Sequence, residues 1–404
     1  MSASGLPQPL HGASRAVPAD RPAWRRALDA RIDRWLTQPE LYRLAIGNPL
    51  TRWFTRRRAE RLFGIMAGFV HSQVLLACVR LQLLEAVRQQ PRTLDELAAL
   101  AQVPAASLER LIRSAVSLEL LEPRGSGRYG LGALGAPVAT HAGLRDMVEH
   151  NAVLYADMTD PVRLMRAQSD AAMHALWPYT NASDASAVRS WSDAKVAQYS
   201  NLMASSQRFV IEELLASYDF SRHRCVLDVG GGKGGWIGAL AQREPGLQLK
   251  LFDLPPVVDL ARRHLQSLGV ADRVQLHGGS FVHDALPRGA DLITLLRVAH
   301  DHPDEVVRAL LASIHAALPV GGTLLVAEPM AEPADRPAIG DPYYHFYLLA
   351  MGEGRLRTPV EIAALMQAAG FDAIQVLRNP LAMHARLLVG RKNHDHTAQA
   401  KGKP

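Results

Sequence analysis

Apolar residues in the second half of the chain form short unbroken runs that alternate with stretches of helical spacing. Runs bounded by Gly, Pro, Asn or Asp predict buried strands, and the three- to four-residue spacing between them predicts helices. The alternation is typical of a doubly wound α/β sheet. We expect seven strands, at residues 225–229, 248–252, 274–277, 292–298, 323–327, 373–377 and 385–389. The short Asn379-Pro380 turn predicts that the last two strands form an antiparallel pair.

The first half of the chain is mainly helical in its spacing. Residues 62–87 predict one or two long buried helices, and Thr93-Leu94-Asp95-Glu96 is a capping box that opens the next helix. Another helix follows Pro104, and residues 124–129 predict the tip of a hairpin. Helix, helix and hairpin in this order predict a winged-helix domain. We favour dimerisation over specific nucleic-acid binding for it, because its second helix exposes few long polar side chains.

These patterns divide the chain into four parts. We expect a disordered tail and basic amphipathic leader at residues 1–60, the winged-helix domain at 61–205, the α/β domain at 206–392 and a disordered tail at 393–404. The 404 residues are 48% hydrophobic and include two cysteines, both in apolar runs, which predicts a reducing, cytoplasmic compartment and no metal site. We expect no signal peptide, and polar residues interrupt segment 63–87 too often for a membrane span.

The net charge of +6 is concentrated near the N-terminus. Residues 21–61 hold eleven arginines against four acids, together with Trp24, Trp35 and Trp53. The helical spacing of Trp24, Leu28 and Trp35 predicts a basic amphipathic helix. A solvated helix packed on a partner domain and a helix lying on an anionic membrane surface both stay open, with nucleic acid as the least favoured alternative.

A glycine-rich turn follows the first predicted strand. The segment Cys225–Gly235 is a strand, a tight loop and the start of a helix, and Asp253 lies 23 residues after Gly230, at the end of the second strand. Such a loop admits a ligand close to backbone N–H groups, and an acid at this spacing meets ribose hydroxyls. The glycines satisfy both the dinucleotide pattern G-x-G-x-x-G and the D-x-G-x-G-x-G pattern of S-adenosylmethionine (SAM) methyltransferases. The loop therefore predicts a nucleotide-type cofactor and leaves its identity open.

A histidine follows the fourth predicted strand. His300 lies in a loop that faces the ligand crevice of such a sheet, where a general base is useful near neutral pH. Taken alone, His300 and Asp301 are better explained as caps of the helix that begins near Pro303.

Four motifs that follow one another along the chain favour the catalytic role of His300 over the helix cap. Asp228–Gly232, Phe252–Pro255, His300–Glu305 and Pro319–Glu328 together resemble the SAM-dependent O-methyltransferases of the caffeate and acetylserotonin type, which carry an N-terminal winged-helix dimerisation domain. Segment 67–81, with the arginine-rich helix before it, resembles the carotenoid O-methyltransferases of purple photosynthetic bacteria, which methylate hydroxyneurosporene or demethylspheroidene. The resemblance implies a Rossmann-like seven-stranded methyltransferase sheet and a homodimer.

The resemblance also implies roles for individual residues. His300 would be the catalytic base, Glu328 would orient its imidazole and Asp301 would position the acceptor. The residues implied for SAM binding are Asp228, Gly230, Gly231, Gly232, Gly234, Asp253, Leu254, Gly279, Ser280, Phe281 and Arg297. The residues expected to line an apolar acceptor pocket are Met203, Tyr344, Phe346, Tyr347 and Met351.

Three positions depart from the family pattern. Gly279-Ser280 stands where the family often has an acid near adenine, and Leu296 replaces a frequent lysine before the base. Leu356 replaces a second orienting glutamate. The adenine contacts and the hydrogen bonds around His300 therefore differ from the family pattern.

The resemblance predicts a SAM-dependent O-methyltransferase acting on a large apolar alcohol, with a hydroxycarotenoid as the expected acceptor. Acceptors of the phenol, quinol or tetrapyrrole class form one alternative. An NAD-dependent oxidoreductase and a non-catalytic winged-helix regulator are the others. Peripheral contact with the inner face of an anionic membrane is a further hypothesis.

Overall fold

The computed structural model describes residues 8–9, 22–38, 40, 43–44, 47–166, 171–176, 207, 210–332, 340–379 and 385–394. It separates into an N-terminal unit, Gly12–Thr140, and a second unit that joins Met1–His11 to His141–Pro404. Residues Gln8–Pro9 form a two-residue strand, β1. The domain boundaries given above stay predictions.

The N-terminal unit combines helices with one small sheet. Its elements are α1 (Ala23–Leu36), α2 (Pro49–Arg80), α3 (Leu83–Arg88), β2 (Arg92–Thr93), α4 (Leu94–Ala101), α5 (Ala105–Ser117), β3 (Leu121–Pro123), β4 (Arg128–Leu131) and α6 (Gly135–Thr140). The strands pair in the order β2-β4-β3. The predicted capping box is present at α4, where Thr93 and Glu96 each accept a hydrogen bond from the other's backbone N–H. The predicted order of helix, helix and hairpin is found here.

Helix α2 differs from the predicted buried helix. It is one helix of 32 residues, buried only from Val74 onward, whereas five large apolar side chains between positions 62 and 69 are 60–79% exposed. They are Leu62, Phe63, Ile65, Met66 and Phe69. Among the described helices, α2 is long and apolar enough to cross a membrane by length and composition alone. The hydropathy of a segment indicates that its side chains avoid water, but it does not indicate which surface they pack against. The prediction of a buried helix is therefore wrong for the first half of α2.

The second unit is an α/β domain. Its helices are α7 (Ala142–Asp157), α8 (Pro161–Arg166), α9 (Ala172–Leu176), α10 (210–217), α11 (Gly235–Arg243), α12 (Pro255–Ser267), α13 (Asp304–Ala317), α14 (Asp341–Met351) and α15 (Pro359–Ala368). Its further strands are β5 (Cys225–Val229), β6 (Gln248–Asp253), β7 (Val274–Gly278), β8 (Leu292–Leu296), β9 (Thr323–Glu328), β10 (Asp372–Leu377) and β11 (Arg386–Arg391).

The sheet has the order β1-β10-β11-β9-β8-β5-β6-β7. Strands β5 to β9 are parallel, and β11 runs antiparallel to both β9 and β10, which confirms the seven predicted strands and their antiparallel ending. The two-residue β1 pairs with β10 and adds an eighth strand at the edge. Strand β8 ends at Leu296, two residues earlier than predicted, because Arg297 has a left-handed backbone (φ 55°) that an extended strand cannot continue. The carboxyl ends of the parallel strands share one edge, where the candidate site lies.

Candidate functional site

The loop after β5 is shaped by glycine. Gly230, Gly232 and Gly234 have φ values of 70°, 56° and 77°, in the left-handed region that side chains with a Cβ rarely adopt. A Cβ on Gly230 would also lie 2.7 Å from Val298 Cγ2. Helix α11 begins directly after Gly234, so its N-terminal N–H groups are near the loop. The loop thus leaves room for a ligand against the backbone, as a SAM site requires.

Two buried acids lie beside this loop. Asp228 accepts a hydrogen bond from Thr294 Oγ1 (2.8 Å), and burial raises the pKa of Asp228 to about 7. Asp253, at the end of β6, accepts hydrogen bonds of 2.7 Å from the N–H groups of Gly232 and Leu254. Burial raises the pKa of Asp253 to about 6, although these two donors oppose that rise. Asp253 therefore ties the glycine loop to the end of β6, and its remaining lone pairs suit ribose hydroxyls.

The turn after β7 contains an acid that the sequence analysis missed. The Ser280 N–H donates to Asp284 Oδ2 (2.8 Å), and a Cβ built on Gly279 would lie 3.2 Å from the same oxygen. Phe281 lies edge-on to His302, with ring centroids 5.3 Å apart. An acid is therefore present beside Gly279-Ser280 although none occurs directly after the strand, and only the fold of the turn reveals it.

His300 lies in a short 3₁₀ turn that Glu328 holds in place. Glu328 Oε1 accepts hydrogen bonds from the N–H groups of Val298 (2.9 Å) and Ala299 (2.8 Å). Its other oxygen contacts His300 Nδ1 and is fully buried with the ring. Because a carboxylate accepts at Nδ1, that nitrogen carries the hydrogen and Nε2 is the nitrogen that exchanges a proton with an acceptor.

Asp301 is next to that second nitrogen. Its Oδ1 lies 3.0 Å from His300 Nε2, and both side chains are buried. Burial raises the pKa of Asp301 to about 6, and the neighbouring Glu328 adds to the rise while His300 opposes it. Asp301 can therefore stabilise the positive charge that His300 acquires when it accepts a proton. The three predicted catalytic residues are brought together.

The segment after α14 also holds the loop that carries His300, and the sequence analysis did not predict this contact. The Arg355 N–H donates to the His300 carbonyl (2.9 Å), and a Cβ on Gly354 (φ 88°) would lie 2.3 Å from that oxygen. The buried Arg357 donates to the carbonyls of Ala299 and His302, at 2.8 Å each. The sequence gives no local signal for this role, because Arg357 lies in a polar segment that also contains Glu353 and Arg355.

Arg357 also binds the first residue of α13. Its Nε and Nη2 donate to Asp304 Oδ1 at 2.8 and 2.7 Å, and its side chain is 1% exposed. We refer to Arg357 and its partners Ala299, His302 and Asp304 as the arginine clamp. Leu356, which stands where the family pattern has a second orienting glutamate, is buried next to Arg357. The clamp fixes the backbone on both sides of His300.

The described residues that were predicted to line the acceptor pocket lie on α14. Tyr347 and Met351 are buried in an apolar cluster, with Tyr344 and Phe346 packed against it, while Met203 lies outside the described residues. The Tyr347 hydroxyl lies 3.0 Å from His150 Nε2 on α7. Arg297 acts electrostatically on the pKa of Tyr344 and of Tyr347, which puts its charge near these rings. Its assignment to the cofactor stays a prediction. Within the described residues, no group of three His, Cys, Asp or Glu side chains could hold a metal ion.

Comparisons with known proteins agree with this geometry. Residues 155–372 match the model of an O-methyltransferase domain, and residues 63–140 match that of an O-methyltransferase dimerisation domain. Demethylspheroidene O-methyltransferase of Cereibacter sphaeroides is 40% identical over 329 residues, covering 81% of this chain and 86% of that protein. The Rhodobacter capsulatus enzyme of the same name is 41% identical, covering 81% and 80%. Human N-acetylserotonin methyltransferase in complex with SAM has a TM-score of 0.69 at 26% identity, covering 83% of this chain and 98% of that one.

Proposed function

Because the chain belongs to the SAM-dependent O-methyltransferases, we propose that it methylates the hydroxyl group of a hydroxycarotenoid of the demethylspheroidene type. Family membership settles the two meanings of the glycine pattern in favour of SAM and leaves the NAD-dependent alternative without support. The observation that carries the proposal is the pairing of 40% identity to a carotenoid enzyme with a buried His300 whose neighbour Asp301 acts electrostatically on Tyr347 in an apolar cluster.

The cofactor residues fit SAM on two structural grounds. The left-handed glycines Gly230 to Gly234 leave space against the backbone, and Asp253 presents a carboxylate at the adjacent strand end. When bound, SAM supplies an electrophilic methyl group on a positively charged sulfur. The glycine loop would surround its methionine portion, and Asp253 would accept hydrogen bonds from its ribose hydroxyls.

The protein's own contribution to the reaction is proton removal and positioning. We propose that His300 Nε2 takes the proton of the acceptor hydroxyl, while Glu328 fixes the ring and Asp301 stabilises its positive charge. A tertiary alcohol is a very weak acid, so His300 helps only as the proton becomes acidic in the transition state. Positioning in a dry site must then supply much of the rate, and the buried aromatic wall of α14 suits that task.

Substitution of the base tests this assignment. We expect His300→Ala to lower kcat by about two to four powers of ten, the usual contribution of a general base, while the calorimetric Kd for SAM stays within about twofold. The exposed His345, also in the catalytic unit, offers a control, and His345→Ala should keep wild-type turnover. Wild-type turnover in the His300 variant would place the base elsewhere.

The dimerisation-domain match at residues 63–140 supports a homodimer, and the five exposed apolar side chains of α2 are a surface that a second copy could cover.

We propose in addition that the leader contacts an anionic membrane from the cytoplasmic side, where a water-insoluble acceptor is collected. Trp24 and Trp53 are 66% and 62% exposed, and Arg25 and Arg57 lie over these rings. Exposed rings beside cations are what an interfacial helix needs.

Vesicle sedimentation tests the membrane contact. The protein should co-sediment with anionic vesicles, less at high salt, and deletion of residues 1–58 should abolish binding while SAM affinity is kept. Replacing Arg56, Arg57 and Arg58 by glutamine is a matched control that retains the tryptophans and should remove only the salt-sensitive part. Equal partitioning of full-length and truncated protein would contradict the membrane role.

A further inference from the structure

One buried histidine on the acceptor side has no part in the proposed chemistry. His150 lies on α7, is 7% exposed and contacts the Tyr347 hydroxyl through Nε2 at 3.0 Å, with the two ring planes inclined by 65°. Its other nitrogen, Nδ1, is buried and has no hydrogen-bond partner among the residues the structure describes. An unsatisfied polar atom in an apolar cluster costs about 1–3 kcal/mol, so such an atom calls for a ligand.

The charge states of His150 and Tyr347 indicate which chemical class of ligand suits them. Burial, assisted by the charge of Arg297, lowers the pKa of His150 to about 4, so its ring is neutral at pH 7. Burial also raises the pKa of Tyr347 far above its usual range, which leaves a neutral phenol. Two neutral groups in an apolar surrounding suit an uncharged oxygen better than an ionised one.

The pair is also near the catalytic residues. Asp301 contributes to the raised pKa of Tyr347, so its carboxylate and the phenol are within electrostatic reach, and the same carboxylate contacts His300 Nε2. An oxygen held beside His150 and Tyr347 therefore lies within electrostatic reach of the carboxylate that contacts His300.

We propose that His150 is an acceptor-binding residue whose Nδ1–H donates a hydrogen bond to the hydroxyl oxygen that becomes methylated. Tyr347 donates its hydroxyl hydrogen to Nε2 and so fixes the tautomer in which Nδ1 carries the hydrogen. The acceptor oxygen then has one lone pair bound to His150 and one free to attack, and its own hydrogen is left for His300. This inference rests on the proposed function and deepens it by naming the group that aims the alcohol.

Two amide substitutions separate this role from a structural one. The side-chain amide of asparagine reaches the position of Nδ1, and that of glutamine reaches the position of Nε2. His150→Gln should keep the contact with Tyr347 but lower kcat/KM for the hydroxycarotenoid about tenfold, the value of one lost hydrogen bond. His150→Asn should lose the Tyr347 contact and some thermal stability, yet keep kcat/KM within about threefold.

The ratio of the affinities for two ligands, measured on the same variant, adds a readout that does not depend on the fraction of folded protein. Wild-type protein should bind the hydroxycarotenoid about tenfold more tightly than the parent hydrocarbon polyene, and His150→Gln should bind both equally. A larger loss in His150→Asn than in His150→Gln, or equal discrimination in wild type and His150→Gln, would overturn the proposal and make His150 a support for Tyr347. Failure of the wild-type enzyme to methylate any hydroxycarotenoid would instead refute the proposed function.

Discussion

The arginine clamp gives the sharpest prediction about how the catalytic loop is held. Arg357→Met keeps most of the aliphatic stem but removes the donors to two buried carbonyls and to Asp304. Breaking a buried ion pair costs about 3–5 kcal/mol, and since the Asp304 side chain is 31% exposed, water compensates part of its loss. We therefore expect a loss of about 3 kcal/mol in the free energy of unfolding.

The same change should affect catalysis. The two carbonyls belong to Ala299 and His302, so releasing them lets His300 move, and a displacement near 1 Å costs about a hundredfold in rate. We expect kcat to fall about a hundredfold with the Kd for SAM nearly unchanged. Arg357→Lys should recover part of the stability, because an ammonium group keeps the charge without the planar fork.

Arg308→Met is a matched control, because Arg308 approaches the same Asp304 at 3.7 Å but is 57% exposed. It should change stability by less than about 0.5 kcal/mol and leave turnover intact. Urea unfolding and methyl-transfer rates measure both effects. If the free energy of unfolding of Arg357→Met were within about 1 kcal/mol of wild type and its kcat were normal, the proposed role of the arginine clamp would be refuted.

The clamp also predicts a pH dependence. Burial tends to raise the pKa of Asp304, but the hydrogen bonds and charge of Arg357 outweigh it, so the folded-state pKa lies below the ordinary value of 3.8. A lowered folded pKa gives stability that is present above the unfolded value and is lost as the pH falls through the folded one. Below about pH 4, Arg357→Met should therefore lose less stability with falling pH than wild type does.

Three shorter predictions concern the cofactor, the base and the assembly. Asp253→Asn should weaken SAM binding about ten- to a hundredfold by calorimetry, because the ribose loses a charged acceptor; unchanged affinity in a folded variant would remove Asp253 from the site. Glu328→Gln should lower kcat less than His300→Ala does, because backbone N–H groups can still bond the amide oxygen; a loss greater than that of His300→Ala would mean that Glu328 takes part directly. Light scattering at micromolar concentration should give twice the mass of one 44.1 kDa chain, and a mass near one chain would argue against the homodimer.

The sheet was predictable because its inner strands are buried on both faces. Strands β5 and β8 are buried at every residue, so they occur in the sequence as unbroken apolar runs. The glycine loop was predictable too, since only glycine tolerates the backbone it adopts. The grouping of His300 with Glu328 came from the family resemblance and not from spacing, because the two residues are brought together by neighbouring strands.

The rest depended on contacts that no local pattern encodes. Arg357 meets Ala299 across 58 positions, and His150 meets Tyr347 across 197. Each of these residues taken alone looks like an ordinary surface arginine or core aromatic. The exposed half of α2 was misjudged for a related reason, since its apolar pattern is the same whether its own chain or a second copy covers it.

The most direct test of the acceptor assignment is methyl transfer from labelled SAM to a panel of acceptors. Purified enzyme would be given a hydroxycarotenoid of the demethylspheroidene type, a quinol, a catechol and a tetrapyrrole, each in the same detergent. We predict that the label enters the tertiary hydroxyl of the carotenoid with a kcat/KM at least about a hundredfold above the others, and that His300→Ala removes this activity. Efficient labelling of a quinol, catechol or tetrapyrrole with none of the carotenoid would contradict this prediction.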